Sequence, residues 1–116
     1  MGGVNNKDKS VIVKQSPMFN DLRNLLNEFE NNINQLEKEE FDSFDKYNSL
    51  ELKNKIEKCE NDINDMLIDL RMKIKKINDI KDFNRDEKEL NTLSNRTQDL
   101  YTKKSEIIKN KIKPND

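Results

Sequence analysis

Apolar residues recur along this chain at alternating steps of three and four positions, the spacing of one face of an α-helix. The clearest stretch, FNDLRNLLNEFENNINQL, covers residues 19–36. Its apolar positions are Phe19, Leu22, Leu26, Phe29, Ile33 and Leu36. Ser16 and Pro17 precede the stretch and are typical of a helix N-cap and a first helical position. The pattern predicts a first helix over about residues 17–40.

A second set of apolar positions predicts a helix over about residues 49–79. The set comprises Leu52, Ile56, Cys59, Ile63, Met66, Leu70, Ile74 and Ile77, with Leu67 widening the face. The preceding stretch, 41–49, is rich in Asp, Asn and Ser, whose side chains compete for the backbone and favour turns. We expect its aromatic residues to fold back over one end of the core; these are Phe41, Phe44 and Tyr47. Asn48 and Glu51 have the spacing of a capping box that starts the second helix.

A third helix is predicted over about residues 85–112, with Asn84 and Glu87 as its capping pair. Its apolar positions are Leu90, Leu93, Leu100, Tyr101, Ile107, Ile108 and Ile112, and Thr97 and Lys104 fall in the same register. An alternative is that residues 80–88 remain helical, which would fuse the second and third helices into one rod. The two capping pairs and Phe83 favour the break.

Three helices joined by short turns predict an all-α fold, an antiparallel up-down-up three-helix bundle. The bundle is expected over 17–113, after a flexible arm at 1–16 that lacks helical periodicity and before a tail at 114–116. Gly occurs only at positions 2 and 3 and Pro only at 17 and 114, so no helix breaker interrupts the expected helices. The rival architecture is a long, self-associating coiled coil.

The composition is unusually polar for a folded domain. Of 116 residues, 39% are charged and 32% hydrophobic, and the mean hydropathy is −1.10. Such values approach those of disordered chains, so folding depends on the helical arrangement of the apolar residues. The net charge is −1, which gives no general attraction to nucleic acid or membrane.

The charge is distributed unevenly. Residues 1–16 carry three Lys and one Asp, and residues 101–116 carry five Lys against one Glu and one Asp. The segment between them is acidic. We interpret this pattern as an acidic bundle with solvated basic ends. In the alternative, the Lys-rich C-terminal end lies near an anionic membrane surface, where each Lys adds about 1 kcal/mol of attraction.

Candidate chemistry is sparse. The chain has no His, which is the commonest general base and nitrogen metal ligand, and its one Cys rules out a Cys-based zinc site. The positions of the two Gly residues exclude a phosphate-binding loop. We therefore predict no enzyme, no cofactor, and no catalytic, cofactor-binding or metal-binding residues. Cys59 lies on an apolar stripe and is expected to be a buried, inert thiol rather than a reactive one.

The helix spacing resembles a known family. The offsets of Phe19, Leu22, Leu26, Phe29 and Ile33 resemble the first helix of the N-terminal domain of v-SNAREs in the "vesicle transport through interaction with t-SNAREs" family. Residues 56–77, IEKCENDINDMLIDLRMKIKKI, are similar to that family's second helix, and residues 89–107, ELNTLSNRTQDLYTKKSEI, to its third. Syntaxin N-terminal (Habc) domains are similar as well, particularly to TLSNRTQDLYTKKSEI.

The resemblance implies a regulatory, protein-binding domain in vesicle trafficking at the cytosolic face of Golgi or endosomal membranes. It implies a monomer that docks epsin-like sorting adaptors or other SNAREs. Separately, the acidic middle of the chain and the lack of exposed aromatic residues interleaved with Arg argue against nucleic-acid binding. Attachment to the membrane would require the C-terminal anchor of a longer protein. No family motif fixes a binding residue. Two other interpretations are a coiled-coil subunit of a tethering or scaffold complex and a three-helix protein similar to tubulin or chaperone cofactors.

Overall fold

The computed structural model describes residues 16–112. The predicted tail, and the predicted arm except for Ser16, lie outside the described residues. After a 3-10 turn over Pro17–Phe19 come four helices: α1 (Asn20–Lys38), α2 (Phe44–Asn48), α3 (Glu51–Lys75) and α4 (Ile80–Lys111). Residues 16–112 contain no β-strand, and the all-α prediction is confirmed for them.

The first helical segment begins where the sequence predicts. The side chain of Ser16 accepts a hydrogen bond from the Met18 amide at 3.3 Å, and Pro17 is the first residue of the 3-10 turn. Helix α1 ends at Lys38, two residues earlier than predicted, because Glu39 has an extended backbone. Lys111 Nζ donates to the Glu39 carbonyl at 2.8 Å. The Lys111 ammonium group therefore offsets the partial negative charge at the C-terminal end of α1.

The predicted turn at 41–49 contains the short helix α2. Ser43 is its N-cap, and the Ser43 hydroxyl accepts a hydrogen bond from the Lys46 amide at 3.2 Å. The predicted Asn48–Glu51 capping box is wrong, because Asn48 is the last residue of α2. Leu50 precedes α3 instead, and its side chain makes no capping hydrogen bond.

The predicted start of the third helix is also wrong. Helix α4 begins at Ile80, because the Asp79 side chain accepts a hydrogen bond from the Asp82 amide at 3.0 Å and caps the helix five residues before Asn84. The carboxylates of Asp79 and Asp82 lie near the positive N-terminal end of α4, and this favours a helix start at Ile80. The alternative of one fused rod is wrong as well, because α3 stops at Lys75 and Asp79 is extended.

One apolar stripe from each long helix forms the core. All six predicted positions of the first helix are buried, and Phe41 and Tyr47 cover one end of the core as predicted. On α3, Leu67 takes the buried position that the sequence assigned to Met66. The other buried apolar residues are Leu52, Ile56, Cys59, Ile63, Leu70, Ile74, Leu90, Leu93, Leu100 and Ile107.

Helix α4 contributes polar groups to the interior as well. Asp86 is buried, and Nε of the adjacent Arg85 donates to it at 2.9 Å. The Thr97 hydroxyl is buried and donates to the Leu93 carbonyl at 2.8 Å. Both polar side chains therefore find their partners within α4 itself.

Each long helix contacts the other two. The polar contacts that join α1 to α4 include, in order along both helices, Arg23–Glu89 (2.8 Å), Glu30–Arg96 (2.9 Å) and Asn34–Lys103 (2.9 Å). Between α3 and α4, the Tyr101 hydroxyl donates to Asn64 at 3.0 Å, and Lys104 pairs with Glu60. In the contacts between α1 and α4, the residue numbers of both helices increase together. In the contacts between α3 and α4, the residue numbers of α3 decrease as those of α4 increase.

Candidate interaction surfaces

Two grooves of opposite charge are the main features of the described surface. Among residues 16–112, no three or more Cys, Asp or Glu side chains are grouped so that they could hold a metal ion. In the same part of the chain, no helix combines the length and the apolarity that crossing a bilayer requires.

Cys59 lies in the α1–α3 interface and is buried, as the sequence predicts. Its thiol donates to Glu28 Oε2 at 3.6 Å, and Asn32 Nδ2 donates to the sulfur at 3.4 Å. Burial, and secondarily the nearby Glu28 carboxylate, raise the pKa of Cys59 to about 11. Both causes disfavour the thiolate, which is the nucleophilic form.

Alkylation of Cys59 tests this environment. With the pKa raised to about 11 from the ordinary thiol value, the thiolate fraction near pH 8 falls by on the order of 100-fold. We expect iodoacetamide to modify the folded protein at least that much more slowly than the same chain in concentrated urea. Mass spectrometry over time measures both rates, and equal rates would show that the thiol is open to solvent.

The first surface, here called the Phe44 groove, lies where α2 meets the C-terminal part of α4. The Phe44 side chain is 62% exposed, although the sequence predicts that it covers the core. Helix α2 turns Tyr47 inward against Phe41, with ring centroids 5.3 Å apart, and leaves Phe44 outside. The groove is lined by Phe44, Lys104, Ser105, Ile108, Lys109 and Ile112.

Ile108 and Ile112 lie in this groove, half-buried, although the sequence assigns both to the core. Adjacent residues of a helix point about 100° apart, so Ile107 and Ile108 cannot both face the same core. Ile107 is the buried one. The adjacent isoleucine pair is thus the sequence signal that could have revealed a second apolar face on α4.

The Phe44 groove is positively charged. Lys104 and Lys109 line it, and no carboxylate does. Lys104 is paired with Glu60. Within residues 16–112 Lys109 forms no ion pair, so its charge remains free for a ligand.

The second surface, here called the acidic groove, lies between α1 and α3. It is lined by Asp21, Asn24, Leu25, Glu28, Asp62, Asp65 and Met66. Leu25 and Met66 are half-buried and give it apolar surface. Lys58 pairs with Asp62 at 2.8 Å, with its side chain 78% exposed. In the described part of the chain, the other three carboxylates have no ion-pair partner.

No family model, curated protein or solved structure matches this chain.

Proposed function

We propose that the chain is an antiparallel up-down-up three-helix bundle that acts as a protein-docking module, as its resemblance to SNARE N-terminal domains implies. The order of the contacts supports the arrangement. Arg23–Glu89 and Glu30–Arg96 rise together along α1 and α4. The contacts Glu60–Lys104 and Asn64–Tyr101 follow opposite orders along α3 and α4, which supports an antiparallel arrangement of these two helices.

The binding site that we propose is the Phe44 groove, and its ligand is an acidic amphipathic helix of a SNARE or sorting-adaptor protein. The observation that carries the proposal is the 62% exposed Phe44 beside two half-buried isoleucines. Covering a large apolar side chain contributes about 1.5–3 kcal/mol, and amphipathic helices commonly dock their apolar face in such grooves. Lys109 then attracts the acidic edge of the ligand and orients it.

The resemblance further supports a trafficking role for the module. In this proposal the domain works as a monomer at the cytosolic face of Golgi or endosomal membranes. Membrane attachment comes from the anchor of a longer protein. The groove selects its partner by a combination of apolar contact and positive charge, and no catalytic step is involved.

A titration followed by NMR tests the proposed site. The 15N-labelled protein is mixed with an acidic amphipathic SNARE helix or an epsin-like adaptor domain, and we expect shifts at Phe44 and along residues 104–112. Phe44→Ser should weaken binding about 30-fold, because the central anchors of interfaces commonly contribute about 2 kcal/mol or more. Ile68→Ser is the matched control, since Ile68 is 57% exposed on α3, outside the groove.

Two results would contradict the proposal. If no SNARE or adaptor segment perturbs the spectrum at high micromolar concentration, the docking function is wrong. If a segment binds but Phe44→Ser and Ile68→Ser behave alike, the module binds through a different surface.

A further inference from the structure

We propose that residues 7–14 of this chain, KDKSVIVK, dock in the acidic groove between α1 and α3. This inference goes beyond the proposed function, which uses the other groove. The segment lies outside the described residues. Ser16, the first described residue, lies only five positions before Asp21, where the groove begins.

Charge complementarity is the first argument. The groove holds four carboxylates, and within residues 16–112 only Asp62 has a basic partner, the exposed Lys58. The segment carries three lysines and one aspartate. Opposite charges brought together on a partly apolar surface attract more strongly than they do in bulk water.

Apolar complementarity is the second argument. Leu25 and Met66 give the acidic groove apolar surface between its carboxylates. The segment has three consecutive β-branched residues at positions 11–13, with Lys14 directly after them and Lys9 two positions before them. Groove and segment thus each combine apolar residues with charged ones, and their charges are opposite. Protein interfaces commonly have this combination of an apolar centre and a polar rim.

The connection to the bundle is the third argument. From Asp21 to Glu28 the groove extends about 10 Å along α1, at about 1.5 Å per helical residue. Eight residues of extended chain reach about 26 Å, so the segment is long enough to cover the groove. Because segment and groove belong to one chain, their effective concentration is in the millimolar range, and a weak contact suffices.

The test uses the full chain and measures NOEs between methyl groups at low salt. We expect NOEs from the methyl groups of residues 11–13 to those of Leu25 and Met66. These contacts should disappear in the segment variant Lys7→Glu, Lys9→Glu, Lys14→Glu. They should weaken on addition of about 1 M NaCl, where the Debye length is only about 3 Å.

Two further variants make the test specific. The control Lys75→Glu, Lys76→Glu, Lys81→Glu changes the net charge equally at exposed lysines outside the groove, and should retain the NOEs. A groove variant, Asp21→Lys, Asp62→Lys, Asp65→Lys, should lose the NOEs. Combined with the segment variant, it should recover them.

The wild-type spectrum decides the proposal. If no NOE joins residues 11–13 to Leu25 or Met66, the segment does not occupy the groove. If the NOEs appear only as protein concentration rises, the groove binds a second copy and the intramolecular contact is wrong. Neither result depends on the Phe44 titration.

Discussion

Replacement of Phe29 by alanine should lower the free energy of unfolding by about 3–5 kcal/mol, the usual cost of truncating a buried aromatic residue. Phe29 is fully buried, and its ring meets Tyr101 edge to face with centroids 5.6 Å apart. A domain of this size has a total stability of about 5–15 kcal/mol, so the loss is a large fraction of it. Urea unfolding followed by far-UV circular dichroism measures the change.

Phe44→Ala is the matched control, because it deletes the same atoms from a side chain that is 62% exposed. We expect its effect on stability to stay within about 0.5 kcal/mol, as for most surface substitutions. If the two substitutions destabilise equally, then Phe44 belongs to the core, and the groove described above does not exist in solution.

The second large effect concerns the ion pair between Glu60 and Lys104, whose side chains are only 19% and 20% exposed. Lys104→Met should cost about 1–3 kcal/mol, because it leaves the Glu60 carboxylate partly buried without its cation. Replacing both residues by Met should recover most of that loss, since an apolar pair of similar volume often replaces a buried ion pair without penalty. A double-mutant cycle in urea gives the coupling energy.

The exposed ion pair Lys58–Asp62 is the control for this measurement. Its side chains are 78% and 41% exposed, and solvent-exposed ion pairs contribute little to stability. Lys58→Met should therefore change stability much less than Lys104→Met. Equal effects would mean that Glu60 and Lys104 are fully solvated, which would remove one support for the proposed antiparallel alignment of α3 and α4.

The first helix could be predicted almost entirely from sequence. Its six apolar positions fall on one face, and Ser16 and Pro17 mark its start without a competing signal nearby. The later helix starts were misplaced because capping residues are abundant in this chain. Asn84 and Asp79 both have suitable side chains, and the sequence alone does not say which of them precedes the first helical turn.

The candidate sites could not be predicted in the same way. Helical periodicity identifies which residues face a core, but a groove needs residues that tertiary packing brings together. Leu25 and Met66 are far apart in sequence and lie in one groove. The sequence predicts that Phe44 folds back over one end of the core with Phe41 and Tyr47, whereas its orientation depends on the short helix that Ser43 starts.

The interior polar residues of α4 have a consequence for how the protein opens. Asp86 and Thr97 are satisfied within α4, so release of this helix leaves neither of them without a partner, although the ion pairs and hydrogen bonds that join α4 to α1 and α3 are lost. Regions with fewer buried apolar contacts open at lower free energy than the rest of a domain. Helix α4 is the longest helix and has fewer buried apolar residues than α3. We therefore expect partial opening of this protein to begin with release of α4, while α1 and α3 stay in contact.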